Sequence, residues 1–135
     1  MKSSRTGIAI ICCVLLAAGL LLNPASAYSF DSTIRIAPNV LNIQSKGSVV
    51  TVHTDISYYA VDVYTVYLNG IAISSWKADN RGNFVAKFTM DEVKTLDGLI
   101  IGEYNTLQVV GLTLDGEPFV GELDILVIDV VPAGR

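Results

Sequence analysis

Residues 106–130, TLQVVGLTLDGEPFVGELDILVIDV, hold the reading on which the fold of this chain turns. Two long strands, about Thr106–Leu114 and Phe119–Val130, flank Asp115-Gly116, a dipeptide that marks a tight hairpin. Successive side chains of a strand point to opposite faces. In the first strand Leu107, Val109 and Gly111 share one face, and Val110, Leu112 and Leu114 share the other. In the second, Phe119, Leu123, Ile125 and Val127 share a face, while the opposite face adds Leu126 and Ile128 beyond Asp124. A half-buried antiparallel strand is normally polar on its outer side, yet here both sides are apolar near one end. Two readings follow. Either the hairpin is covered on both sides by its own chain, by the 90–96 region or an N-terminal segment, or it presents a docking surface. Val110, Leu112, Leu114, Leu126 and Ile128 are the candidate partner-interface residues.

Working outward, runs of β-branched and aromatic residues recur at strand length between Gly, Asn and Asp punctuation. Thr33–Ile36 alternates and reaches a turn at Pro38-Asn39, followed by Val40–Ile43. In Ser48–Ile56 the residues Val50, Val52 and Ile56 oppose Thr51, His53 and Asp55. Asp62–Leu68 leads through Asn69-Gly70, a strong hairpin signal, into Ile71–Ile73. After a loop at 79–83, Phe84, Ala86 and Phe88 alternate with Val85 and Lys87. Asp91 and Glu92 suit a helix start, which predicts a short helical turn near 90–96. No helix is long enough for a parallel crossover. The expectation is an all-β fold, an immunoglobulin-like antiparallel two-sheet sandwich of about 7–8 strands, with an up-and-down barrel as the rival. The Cys…Trp…Cys hallmark of antibody domains is missing, so the expectation concerns architecture only.

The N-terminus carries Lys2 and Arg5, then sixteen apolar residues from Gly7 to Leu22, then Asn23-Pro24-Ala25-Ser26-Ala27. That is the three-part pattern of a secretory signal peptide cleaved after Ala27, giving a signal segment 1–27 and one domain 28–135. The expected location is secreted, or the cell envelope if the segment stays uncleaved as an anchor. Two of the nine Lys+Arg precede residue 28 and all thirteen Asp+Glu follow it, so the mature chain carries a net charge of −6. An acidic domain without a basic cluster argues against nucleic acid and anionic membrane surfaces. Cys12 and Cys13 both leave with the signal, removing disulfide, thiol-nucleophile and thiolate-metal chemistry from the domain.

Four ordered segments carry a resemblance: Ile36–Gly47, Thr65–Gly70, Ala86-Lys87-Phe88 with Asp91-Glu92-Val93, and Leu114–Gly121. Together they resemble a small β-sandwich module of secreted prokaryotic proteins, sometimes found beside dockerin or cohesin-type modules. The resemblance implies an extracellular, non-catalytic accessory domain. In fuller members the loop before the Lys-Phe strand looks like a run of Asp and Gly able to hold calcium. Here Asp79, Asn80 and Asn83 remain as metal candidates, while Lys77 and Arg81 bring positive charge into the same region.

The residues offer little chemistry beyond binding. His53, the one imidazole, lies mid-strand opposite the Val50/Val52 face, with no nucleophile or second ligand spaced around it. Glu122 and Asp124 share a strand face about 7 Å apart, which overlaps the carboxylate spacing of sugar hydrolysis. Nothing nearby in sequence buries either one to raise its pKa, so solvating charge is the simpler reading. Calcium requires six to eight oxygens with several carboxylates, and the 79–83 loop supplies one. Walker, Rossmann, serine-elbow and zinc-helix patterns are absent from the sequence. The expectation is a non-enzymatic binding or structural module with no cofactor and no bound metal. Its partner would be another extracellular protein or a second copy, with no nucleic acid and no membrane insertion after signal cleavage. A carbohydrate- or calcium-binding accessory domain is the alternative, and Tyr58, Tyr59, Tyr64, Tyr67 and Trp76 are its raw material for a sugar platform.

Overall fold

The computed structural model describes residues 29–131. The expected signal segment 1–27 and its cleavage position lie outside the described residues. Ten strands form two mostly antiparallel sheets: β1 Phe30–Asp31, β2 Arg35–Ala37, β3 Val40–Asn42, β4 Val49–Ser57, β5 Val61–Leu68, β6 Ile71–Ala72, β7 Ser75–Ala78, β8 Asn83–Thr89, β9 Tyr104–Thr113 and β10 Pro118–Ile128. A 3-10 turn spans Tyr58–Ala60 and one short helix, α1, spans Met90–Lys94. One sheet has the order β1-β10-β9-β5-β6, with β3 also paired to β10; the other has the order β2-β4-β8-β7. The β strands thus divide between two sheets rather than closing into one barrel.

Alternation placed the core correctly. Val50, Val52, Phe84, Phe88, Leu107, Val109, Phe119, Ile125 and Val127 are all fully buried between the sheets. Two glycines of the closing hairpin make room for it. A Cβ on Gly111 would stand 2.6 Å from the Phe119 ring, and one on Gly121 would stand 2.5 Å from the Ile34 side chain and 2.9 Å from the Ser32 carbonyl. At the Asn69-Gly70 turn both residues adopt positive φ, 46° and 86°, as a mirror-image hairpin turn requires. The Asn69 amide then continues the ladder: its Oδ1 accepts the Gln108 N–H at 2.6 Å and its Nδ2 donates to the Thr106 carbonyl at 3.2 Å.

The N-terminal edge differs from the sequence expectation. The expected antiparallel sandwich gains parallel pairs here, because residues 30–42 cross between layers: β1 and β3 pair in parallel with β10, while β2 between them pairs antiparallel with β4. The Ala37-Pro38 peptide at the second crossing is cis. On the opposite side, β6 and β7 make a similar switch, from the β5 edge to the β8 edge. Two strands beyond the expected seven or eight, β1 and β7, bring the count to ten among the described residues. β7 was not foreseen, because Ser75–Ala78 is only four residues long and Trp76 is its one large apolar side chain.

Candidate functional site

The outer face of the six-stranded sheet carries the interface residues singled out in the sequence. Register fixes its composition row by row. Pro118 lies opposite Leu112, Val120 opposite Val110, Glu122 opposite Gln108, Asp124 opposite Thr106, and Leu126 opposite Tyr104. Because Leu107 and Val109 point inward and are fully buried, Val110 and Leu112 must point out, and Leu112 is 38% exposed. Tyr67 on β5 sits beside Val110, and Leu114 at the strand end is 67% exposed.

The five predicted residues share this face but do not form one patch. Val110, Leu112 and Leu114 gather at one end with Tyr67, Pro118 and Val120. Leu126 and Ile128, both half-buried, lie at the other end beside Tyr104 and Val40. Six residues of extended strand separate Val120 from Leu126, about 20 Å. Between the two ends runs a polar belt. Gln108 donates to Glu122 at 2.7 Å, and the Thr106 hydroxyl donates to Asp124 at 2.6 Å. Tyr104, Val40, Pro118 and Val120 were missed in the sequence, and Tyr67 was named there only for the sugar-platform alternative. Tyr104 shares even-numbered parity with Val110 and Leu112, so extending the alternation upstream would have found it.

At the first end the surface carries a shallow, open depression. The β5–β9 ladder breaks between Asp62 and Tyr67, so four residues of β5 stand opposite Gly111 alone. Beside this break the shallow groove, about 740 Å³, is lined by Tyr64, Tyr67, Val110, Leu112 and Val120. Among the described residues nothing covers this face. α1 instead buries Met90 and Val93 in the core beside β4 and β8, and β1 lies along the β10 edge.

The strand charges of the six-stranded sheet are all acidic, whereas the four-stranded sheet is mixed, with Asp55 exposed on β4 among its basic residues. On the six-stranded sheet the charged strand residues whose register directs them outward are Asp31, Asp62, Glu122 and Asp124, all acidic. On the four-stranded sheet a transverse row runs Arg35, His53, Val85, Lys77, with Lys87 in the next row. Val85 faces outward there yet is fully buried, beneath its longer neighbours in the row.

His53, Arg35, Asp55 and the 79–83 loop meet in a separate polar cleft of about 470 Å³. Both carboxylates there are already engaged. Asp55 accepts from the Ser32 hydroxyl at 2.8 Å and the Thr33 N–H at 3.3 Å. Asp79 accepts the N–H groups of Arg81 and Asn83 at 2.8 and 2.9 Å, closing the loop as a turn. Hydrogen bonds from Asn83 first and then Arg81 hold the Asp79 carboxyl below its usual value. Of the metal candidates Asp79, Asn80 and Asn83, only Asp79 supplies a carboxylate, and no group of three or more His, Cys, Asp or Glu comes together among the described residues. The aromatic candidates divide as well. Tyr64 meets Trp76 edge to face, centroids 5.5 Å apart and planes at 80°, so the pair presents no common plane for stacking a sugar.

No family model matches this chain, and neither a curated protein nor a solved structure matches it.

Proposed function

We propose that the protein is an exported, immunoglobulin-like, non-catalytic module that docks another extracellular protein, or a second copy, through the outer face of its six-stranded sheet. The observation that carries this reading is the exposed row Val110, Leu112 and Leu114 beside the Tyr64–Tyr67 groove. Apolar side chains gathered on a strand face that ordinarily meets water favour an interface. The strand order supports the immunoglobulin-like assignment: two layers, with an N-terminal segment that pairs first with one and then with the other. The non-catalytic assignment draws on the acidic groups themselves. Glu122 and Asp124 are exposed, and each is held by a neighbouring polar side chain, Gln108 and Thr106, with no nucleophile or second acid beside it in that row of the sheet. Export rests on the residue 1–27 pattern alone.

The test compares the secreted domain with a Leu112→Lys/Leu114→Lys variant. Both residues are exposed, so the variant is expected to keep its melting temperature while losing pull-down of partner from culture medium, or self-association in the ultracentrifuge. Equal capture and equal sedimentation by the two proteins would refute the docking face. N-terminal sequencing of the secreted product is expected to begin at Tyr28, and a product retaining Met1 in the membrane fraction would overturn export.

A further inference from the structure

The docking face has a polarity of its own, and it narrows the partner. Two apolar ends, Val110/Leu112/Val120 and Tyr104/Leu126/Val40, stand about 20 Å apart along the strands. The belt between them bears Glu122 and Asp124. Among the described residues one oxygen of each carboxylate is engaged, by Gln108 and by Thr106, so the side chains are oriented while the second oxygen stays open. The other outward strand charges on this sheet, Asp31 and Asp62, are also negative.

Resting on the docking reading, we infer that the partner is a cationic amphipathic segment. It spans about 20 Å, roughly four turns of helix, with apolar side chains at both ends and Lys or Arg between them. The apolar ends seat on Val110/Leu112 and on Tyr104/Leu126, and the central cations lie over Glu122 and Asp124. The charge of the mature chain, −6, draws such a segment in from a distance. A second copy fits less well. It brings the same net charge, and on its four-stranded sheet, where Arg35, Lys77 and Lys87 lie, Val49 is the one exposed large apolar strand residue to meet the two apolar ends.

The experiment titrates the isotope-labelled secreted domain with two synthetic helical peptides of about 14 residues. They carry identical Leu residues at both ends and differ only in having Lys or Glu at the centre. The Lys peptide is expected to shift the amide resonances of Val110, Leu112, Tyr104 and Leu126, and to bind more weakly as salt rises. Glu122→Gln/Asp124→Asn is expected to weaken it about tenfold, the loss of two partly exposed ion pairs. Equal binding of the Glu peptide, shifts centred on the acidic turn at Asp91-Glu92, or self-association of the domain through this face at the same concentration would each overturn the inference. The docking reading is scored separately. If both peptides bind this face equally and Leu112→Lys/Leu114→Lys abolishes both, the face docks without charge preference. If neither peptide perturbs it, the inference fails, and capture of a partner decides the docking reading alone.

Discussion

The hydroxyl of Thr65 accepts the backbone N–H of Leu112 at 2.8 Å and donates to the Asp62 carbonyl at 2.7 Å. One side chain thereby closes the bulge between β5 and β9, supplying the ladder partner that the displaced β5 backbone cannot. Thr65 also lines the shallow groove beside Leu112, so a single side chain stands both at the irregularity of the sheet and at the proposed docking face.

Thr65→Val keeps the shape of the side chain and removes that hydroxyl. It is expected to destabilise the domain by about 1 kcal/mol in urea unfolding, the usual net contribution of a hydrogen bond. Faster amide exchange at Leu112 is the local signature.

Face parity on β9 is testable one residue pair at a time. Leu112→Lys places a cation on the exposed side and is expected to change stability by less than about 1 kcal/mol. Leu107→Lys, on the fully buried side, introduces an unpaired charge into the core and is expected to unfold the domain. Circular dichroism melts separate the two outcomes.

Gly111→Ala brings a methyl against the Phe119 ring, which is buried and has no room to retreat. The expected cost is about 1–3 kcal/mol, as for other overpacked cores. In a Phe119→Leu background the same change is expected to cost less, and the double-mutant cycle reports the coupling.

Asp79 gives the loop between β7 and β8 a pH dependence. Its folded pKa lies below the unfolded one, so its contribution is complete above the unfolded value near 3.8 and is lost as pH falls through the lowered folded value. Asp79→Ala is therefore expected to lower the melting temperature at neutral pH, with the gap to the parent narrowing as acid protonates the parent carboxylate. A gap that persisted in acid would contradict the assignment.

Melts in calcium and in chelator are expected to overlay. An ion bound at a hundredfold excess over its dissociation constant would add about 2.7 kcal/mol. In the 79–83 loop the Asp79 Oδ1 is instead occupied by the two backbone N–H groups of its turn.

What the sequence determined by itself was what is local. Period-two alternation follows from strand geometry, so the inward sets Val50/Val52, Phe84/Ala86/Phe88 and Leu107/Val109 were legible without any neighbour. So were the turns at Asn69-Gly70 and Asp115-Gly116, where backbone conformation selects the residue. That Val110, Leu112 and Leu114 share the face opposite Leu107 and Val109 followed from the same rule, while their exposure was decided by the packing of the sheets. Only the tertiary structure decided which strands lie side by side, because register depends on burial shared between residues far apart in the chain. Residues 30–42 cross between the sheets to reach both β4 and β10, a choice that no alternation within them encodes. Pairing across β9 and β10 placed Gln108 against Glu122 and Thr106 against Asp124, dividing one expected apolar face into two ends with an acidic belt between them. The gathering of Arg35, His53, Lys77 and Lys87 on the opposite sheet has the same origin: charges scattered over more than fifty residues become neighbours only when their strands pair.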